Sequence, residues 1–213
     1  MTDTSTHEEP QTQAAVEAAA PTASAPPRRP DDRWGVLRLG AVVGSAAGSM
    51  LFAGLVAGYL SLRDAVPPEE WPTPGVEIPN VAVLTLTIGL AMSAVTAGWA
   101  YYASLNEDRR GVLSALGLTL VLAAAHVNGL IFVWDALTLP VAESTYSAAV
   151  YALTGTHLAF VIAGMAAIAA LLVRALGGQL TGRSREPALA FLIGWEFVVT
   201  AWIAVYVFVF LVK

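Results

Sequence analysis

Four polar side chains lie deep within long apolar stretches of this 213-residue sequence, where burial in hydrocarbon would need a physical reason. They are His126, Asn128, His157 and Glu196. Glutamate and histidine can exchange protons, and two histidines can ligate a haem iron. A carboxylate at the centre of a bilayer-spanning helix costs at least about 2.5 kcal/mol, so it normally faces a partner or water. These four residues are therefore the candidates for chemistry.

Glu196 and His157 are predicted to reach the same depth. Glu196 lies eight residues, or ~12 Å, from the predicted inner end of its span, and His157 lies eleven residues, or ~16 Å, from the predicted outer end of its span, at 1.5 Å per helical residue. One hypothesis is a Glu196–His157 hydrogen bond between helices, which would serve lipid binding or proton transfer. The alternative is that each side chain bonds separately to a backbone carbonyl, a lipid headgroup or water.

His126 and His157 offer a second arrangement, in which the two side chains ligate a haem b between adjacent helices. Against it, no arginine for the haem propionates lies within either stretch. Asn128 lies two residues from His126, so the two side chains point to nearly opposite faces of one helix and do not form one site. Structural histidines are the simpler interpretation.

Composition places the chain in a membrane. It is 56% hydrophobic and 13% charged, whereas soluble domains carry roughly 25% charged residues. The absence of cysteine excludes disulfides, thiolate metal sites and cysteine nucleophiles. A multi-histidine metal centre is nearly excluded as well, because one of the three histidines, His7, lies in the tail. The sequence has no nucleotide-binding loop and no basic patch for nucleic acid. We therefore expect no metal or cofactor site in this chain and no nucleic-acid partner.

Run length predicts the fold, because a bilayer core of ~30 Å needs about 20 helical residues. The expected fold is all-α: a polytopic bundle of five transmembrane helices within a domain of residues 34–213. The predicted spans are 36–62, 81–105, 112–134, 146–173 and 188–212. Residues 1–33 are rich in Thr, Ala, Pro, Glu and Ser and are predicted to form a disordered cytoplasmic tail.

The basic residues predict the orientation of the bundle. Nine of the eleven fall on one side of the membrane that the five predicted spans cross: Arg28, Arg29, Arg33, Arg38, Arg109, Arg110, Arg174, Arg183 and Arg185. Only Arg63 and Lys213 fall on the other side. Under the positive-inside rule, the N-terminus is cytoplasmic and the C-terminus outside.

The first span carries two runs of glycines at intervals of four, and the 14 residues between their first members are close to a whole number of helical turns, which predicts one helix-packing face. These are Gly40, Gly44, Gly48, Gly54 and Gly58. Small residues let helices approach closely in lipid, where there is little hydrophobic force between helices. Trp195 and Trp202, seven residues apart in the last span, are also interpreted as a packing stripe.

Three segments resemble subunit III of the haem–copper cytochrome c oxidases. They are MLFAGLVAGYLSLR (50–63), YALTGTHLAFVIAGMAAIAALLVR (151–174) and GWEFVVTAWIAVYVFVFLV (194–212). The resemblance covers about residues 36–212 and corresponds to the five-span form of the family. The polar signature departs from the family pattern. Gly48 stands where the family has a buried Glu, Phe160 where it has a second His, Glu196 where it has His, and Val199 where it has Asp.

The resemblance implies a non-redox accessory subunit of a respiratory terminal oxidase in a prokaryotic plasma membrane. It would pack against catalytic subunit I, within the complex that also contains subunit II, and would hold membrane lipids such as a bound phospholipid. Haem and copper would belong to the partner subunits. Two alternatives remain open: an accessory subunit of a nitric oxide reductase-type enzyme, and a free-standing cytochrome b using His126 and His157.

Overall fold

Five long helices form the bundle in a computed structural model, which describes residues 34–138, 144–180 and 186–212. They are α1 (Trp34–Asp64), α2 (Asn80–Leu105), α3 (Arg109–Leu137), α4 (Thr145–Leu176) and α5 (Glu186–Val205). A π-helical turn over Tyr206–Leu211 extends α5. All five are long and apolar enough to cross a membrane, so the predicted five-span helical fold is confirmed. The predicted tail, residues 1–33, lies outside the described residues, as do Arg183, Arg185 and Lys213.

Side-chain caps fix where α3 and α4 begin. The Asp108 carboxylate accepts a hydrogen bond from the Gly111 backbone N–H at 3.0 Å, which satisfies one of the free donors of the first turn of α3. At the start of α4, Ser144 and Ser147 form a reciprocal capping box. The α4 cap stands at the start of an apolar run, and the α3 cap is separated from one only by Arg109, Arg110 and Gly111, so the local sequence starts each helix near the membrane boundary.

One end of the bundle is closed by an arginine. The Arg109 guanidinium donates from Nε to the Ala175 carbonyl at 2.9 Å and from Nη2 to the Leu176 carbonyl. Carbonyls in the last turn of a helix have no partner within it, so these bonds cap the end of α4. They also place the α2–α3 turn beside the end of α4, as an up-and-down topology requires.

The other end is closed by the loop between α1 and α2, which contains a short 3₁₀ helix, Pro68–Glu70. Trp71 in this loop is buried, and its indole N–H donates to the Tyr59 hydroxyl at 3.2 Å. The Tyr146 ring packs against the Trp71 ring with centroids 5.0 Å apart. Loop, α1 and α4 therefore meet in one aromatic cluster.

Helix α5 lies at the centre of the packing. It contacts α1, α2 and α4, while α2 and α3 form a closely packed antiparallel pair. The outward surface is also apolar, with Val121 of α3 and Ile162 of α4 among its exposed residues. An apolar exterior of this kind is what contact with lipid requires.

Candidate functional site

Two of the predicted polar residues lie side by side at the centre of the bundle. His126 of α3 is 2% exposed and His157 of α4 is 0% exposed, and their ring centroids are 5.3 Å apart in an edge-to-face arrangement. The indole of Trp202 packs against both rings, with centroid distances of 4.6 Å to His126 and 4.9 Å to His157. The three rings form a closed aromatic cluster between α3, α4 and α5.

Hydrogen bonding in this cluster is incomplete. The His157 Nε2 atom donates to the Val198 carbonyl at 3.1 Å, which makes Nε2 the protonated nitrogen. Within the described residues, His157 Nδ1 and both ring nitrogens of His126 have no hydrogen-bond partner. The Leu86 carbonyl is near the His126 ring but not in hydrogen-bonding geometry.

The residues present do not fit a bis-histidine haem between these helices. Such a haem requires the macrocycle and its iron to lie between the two imidazoles. Here the two imidazoles contact each other directly, and Trp202 fills the space beside both. The packing leaves no room for a porphyrin, so the two histidines are part of the helix interface.

The predicted hydrogen bond between Glu196 and His157 is wrong. Glu196 is exposed on the outside of the bundle, and His157 bonds to the Val198 carbonyl instead. The physical reason is helical rotation. Trp195 faces inward with 1% exposure, and the next residue is turned by about 100° around the helix axis. The two side chains share a depth but face different surroundings.

Asn128 is also exposed, on the outer side of α3. Its neighbour His126 is buried, so the two residues face in opposite directions, as their spacing predicts. Of the four polar residues, the structure therefore brings together only the two histidines.

Sequence reasoning missed the hydroxyl groups that receive the tryptophan indoles. The Trp195 indole N–H donates to the Ser93 hydroxyl, and the Trp202 indole N–H donates to the Thr87 hydroxyl, both at 3.0 Å. Both acceptors lie on α2, six residues apart. The available signal was a pair of small hydroxyl residues in an apolar helix that lies beside a tryptophan stripe. These bonds fix the rotation of α5 against α2.

The glycine face of α1 packs closely against another helix of the chain at one position, Gly48. A Cβ atom added at Gly48 would overlap the ring of Phe197 on α5, so this glycine permits close helix contact. At the other four glycines, no atom from elsewhere in the described residues lies within 4 Å of such a Cβ: Gly40, Gly44, Gly54 and Gly58. For these four, a packing role stays a prediction about contacts outside this chain.

Two grooves open on the surface beside α1 and α5, and their linings differ. The first, which we call the inner cleft, has a volume of about 520 Å³ between α1, α4 and α5. Its walls are small or apolar, including Ala41, Ala163 and Phe191, and Arg174 lines it near the end of α4. The second, the outer groove, has a volume of about 440 Å³ between α1 and α5 and carries the hydroxyls of Ser49 and Thr200.

The architecture defines a class, a five-span helical membrane protein whose central polar groups serve helix packing. Comparison with known sequences gives the family. The family model for cytochrome c oxidase subunit III matches residues 34–213. The chain therefore belongs to the cytochrome c oxidase subunit III family, and it is a membrane component of a respiratory oxidase complex.

Individual relatives agree with the family match. The cytochrome c oxidase subunit 3 of Corynebacterium diphtheriae is 27% identical over 199 residues, covering 92% of this chain and 95% of the relative. A probable cytochrome c oxidase subunit 3 of Mycobacterium bovis is 26% identical over 185 residues, covering 85% and 91%. The cytochrome c oxidase subunit 3 of Gallus gallus is 27% identical over 176 residues, covering 80% and 67%.

Proposed function

We propose that this chain is a non-redox accessory subunit that packs against the haem-containing catalytic subunit I of a prokaryotic plasma-membrane oxidase and stabilises it. The family match over residues 34–213 carries this proposal. The packing of the central polar residues supports it. His126, His157, Trp195 and Trp202 are all engaged in contacts between helices, which suits a rigid supporting bundle.

The inner cleft supports a phospholipid as part of that role. Its small and apolar walls suit an acyl chain, and Arg174 offers a cation to a phosphate headgroup. Arg174 follows the end of the apolar run of α4, at the depth where headgroups lie. A lipid bound in this cleft would fill the space between α1 and α4, so that no neighbouring protein is needed to fill it.

The orientation forms part of the same proposal. The end of the bundle that carries Arg109, Arg110 and Arg174 faces the cytoplasm, because short loops with excess basic residues are retained there. The N-terminus would then be cytoplasmic and the C-terminus outside.

The test is removal of this chain from the complex. An oxidase assembled without it should still bind haem but should lose activity faster during turnover or heating than the complete complex, and adding the chain back should restore its lifetime. Equal lifetimes with and without the chain would contradict the stabilising role. For the lipid, Arg174→Gln should reduce the phospholipid retained by the purified complex, whereas Arg110→Gln, which lies outside the cleft, should not.

A further inference from the structure

Glu196 is a carboxyl group on the outer surface of α5 at mid-membrane depth. It lies ten residues, or ~15 Å, past Glu186, within the 26-residue apolar span Glu186–Leu211. Its side chain is exposed, and no described residue of the chain donates a hydrogen bond to it. A carboxyl at this depth is costly unless it meets a polar partner. In this chain the partner must come from outside the bundle.

The surface around Glu196 is shaped for close approach. Thr200 and Ile203 lie four and seven residues further along α5, on the same face, and both are exposed. Thr200 also lines the outer groove, whose walls include Ala53, Ala57 and Ala204. Small residues of this kind allow a neighbouring transmembrane helix to come close, and at that distance its polar side chains can form hydrogen bonds with this surface.

The Glu196 carboxyl favours a protein helix over a lipid as the neighbour of this surface. An acyl chain can fill an apolar groove, but at mid-membrane depth it offers no hydrogen-bond donor. The inner cleft has the opposite character, because its charged group is Arg174 near the end of α4, where a headgroup can reach. A transmembrane helix with a polar side chain at the depth of Glu196 satisfies both the groove and the carboxyl.

The geometry points to the Glu196 face of α5, together with the outer groove, as the surface on which a transmembrane helix of the catalytic subunit lies. A side chain of that helix donates a hydrogen bond to the Glu196 carboxyl. This inference rests on the proposed function, since it assigns the partner contact of an accessory subunit to one face.

A photo-crosslinking experiment tests the assignment in native membranes. A benzoylphenylalanine replaces Ile203 on the Glu196 face or, as a control, Val121, an exposed residue of α3, a helix that contributes neither to this face nor to the groove. After irradiation, the complex is purified and the cross-linked species are identified by mass spectrometry. We expect a cross-link from position 203 to the catalytic subunit and at most a trace from position 121.

Substitution of the carboxyl gives a second readout. Glu196→Leu should lower retention of the catalytic subunit during detergent purification roughly three- to tenfold, the effect of one lost hydrogen bond, and Glu196→Gln should restore most of it. Leucine is favourable in hydrocarbon, so the bundle itself should not lose stability. Thr200→Val, on the same face, should also lower retention, whereas Thr85→Val on α2 should not. The two variants are matched because both threonines are exposed and bond to their own helix backbone at 2.8 Å.

Several outcomes overturn the inference while the proposed function stands. They are a position-203 cross-link to lipid alone or to a second copy of this chain, equal cross-linking from positions 203 and 121, or unchanged retention in Glu196→Leu. In each case the catalytic subunit still copurifies with the unsubstituted chain. If no catalytic subunit copurifies with the unsubstituted chain, the proposed function fails and this inference fails with it.

Discussion

Gly164→Ala should destabilise the bundle by overfilling the contact between α4 and α5. A Cβ atom at Gly164 would overlap the ring of Trp195, whose Cε3 atom lies 2.7 Å from the ideal Cβ position. The ring is 1% exposed, stacks on Phe191 at 5.8 Å and donates to the Ser93 hydroxyl at 3.0 Å. It therefore has no direction in which to move without losing a contact.

The expected magnitude follows from three contributions. Overpacking costs roughly 1–3 kcal/mol, and weakening the indole hydrogen bond adds about 1 kcal/mol. Replacing glycine by alanine in a helix returns up to about 1 kcal/mol. The net loss should be about 1–3 kcal/mol in the free energy of unfolding.

The assay is reversible unfolding in mixed micelles, followed by circular dichroism and by tryptophan fluorescence. Gly155→Ala is the matched control, because it lies on the same helix and an added Cβ there meets no atom within 4 Å from other parts of the described chain. It should gain the helix-propensity benefit without the clash and be neutral or slightly stabilised. Equal stability changes in the two variants would refute the packing argument.

Three further predictions address the ends, the core and the orientation of the bundle. Arg109→Ala should lower the free energy of unfolding by about 1–2 kcal/mol through loss of the α4 cap, as measured by the same assay. Trp202→Phe should cost about 1 kcal/mol through loss of the indole donor to α2, read from the same transition. Single cysteines replacing Gln179 and Glu70 should react with a membrane-impermeant maleimide from opposite sides, Gln179 from the cytoplasm.

Each of these three predictions has a control or an outcome that would contradict it. Arg110 neighbours Arg109 and makes no hydrogen bond to α4, so Arg110→Ala should leave stability unchanged; a cost equal to that of Arg109→Ala would contradict the cap. A Trp202→Phe protein as stable as the original would show that the bond to Thr87 contributes nothing. The chain contains no cysteine, so labelling reports only the introduced residue, and labelling of both positions from one side would contradict the topology.

Run length predicted the five spans because the length of an apolar helix must match the thickness of the bilayer. Charge predicted the orientation, which stays a prediction. The length of an apolar run measures the thickness of the hydrocarbon, and it located Glu196 and His157 at similar depths. These patterns report positions along the membrane normal, that is, the depth of each residue and the side of the membrane on which each loop lies. They carry no information about the rotation of each helix about its own axis.

The rotation of each helix about its own axis could not be predicted from the sequence. In a soluble helix a polar stripe marks the exposed side, but here the lipid-facing and inward-facing sides are equally apolar. Exposed Val121 and buried Leu130 of α3 are indistinguishable in the sequence by polarity. The side on which Glu196 lies is decided by the contacts of Trp195 and Trp202 with α2, which depend on the tertiary packing.

The hydroxyl acceptors of those tryptophans were hidden for a related reason. Ser93 and Thr87 also donate to carbonyls of their own helix, at Leu90 and Val83. Serine and threonine in membrane helices commonly make such local bonds, so neither residue signals a need for a partner. Only the juxtaposition of α2 and α5 reveals that the same oxygen atoms accept the indole N–H groups.

Purification of the tagged chain from native membranes in mild detergent tests the central claim most directly, with identification of bound subunits and an absorption spectrum of the complex. The account predicts that a larger haem-containing oxidase subunit copurifies, and that the haem absorbance leaves with that partner when the complex is dissociated. Recovery of the chain alone, or a Soret band that stays with the isolated chain, would contradict it.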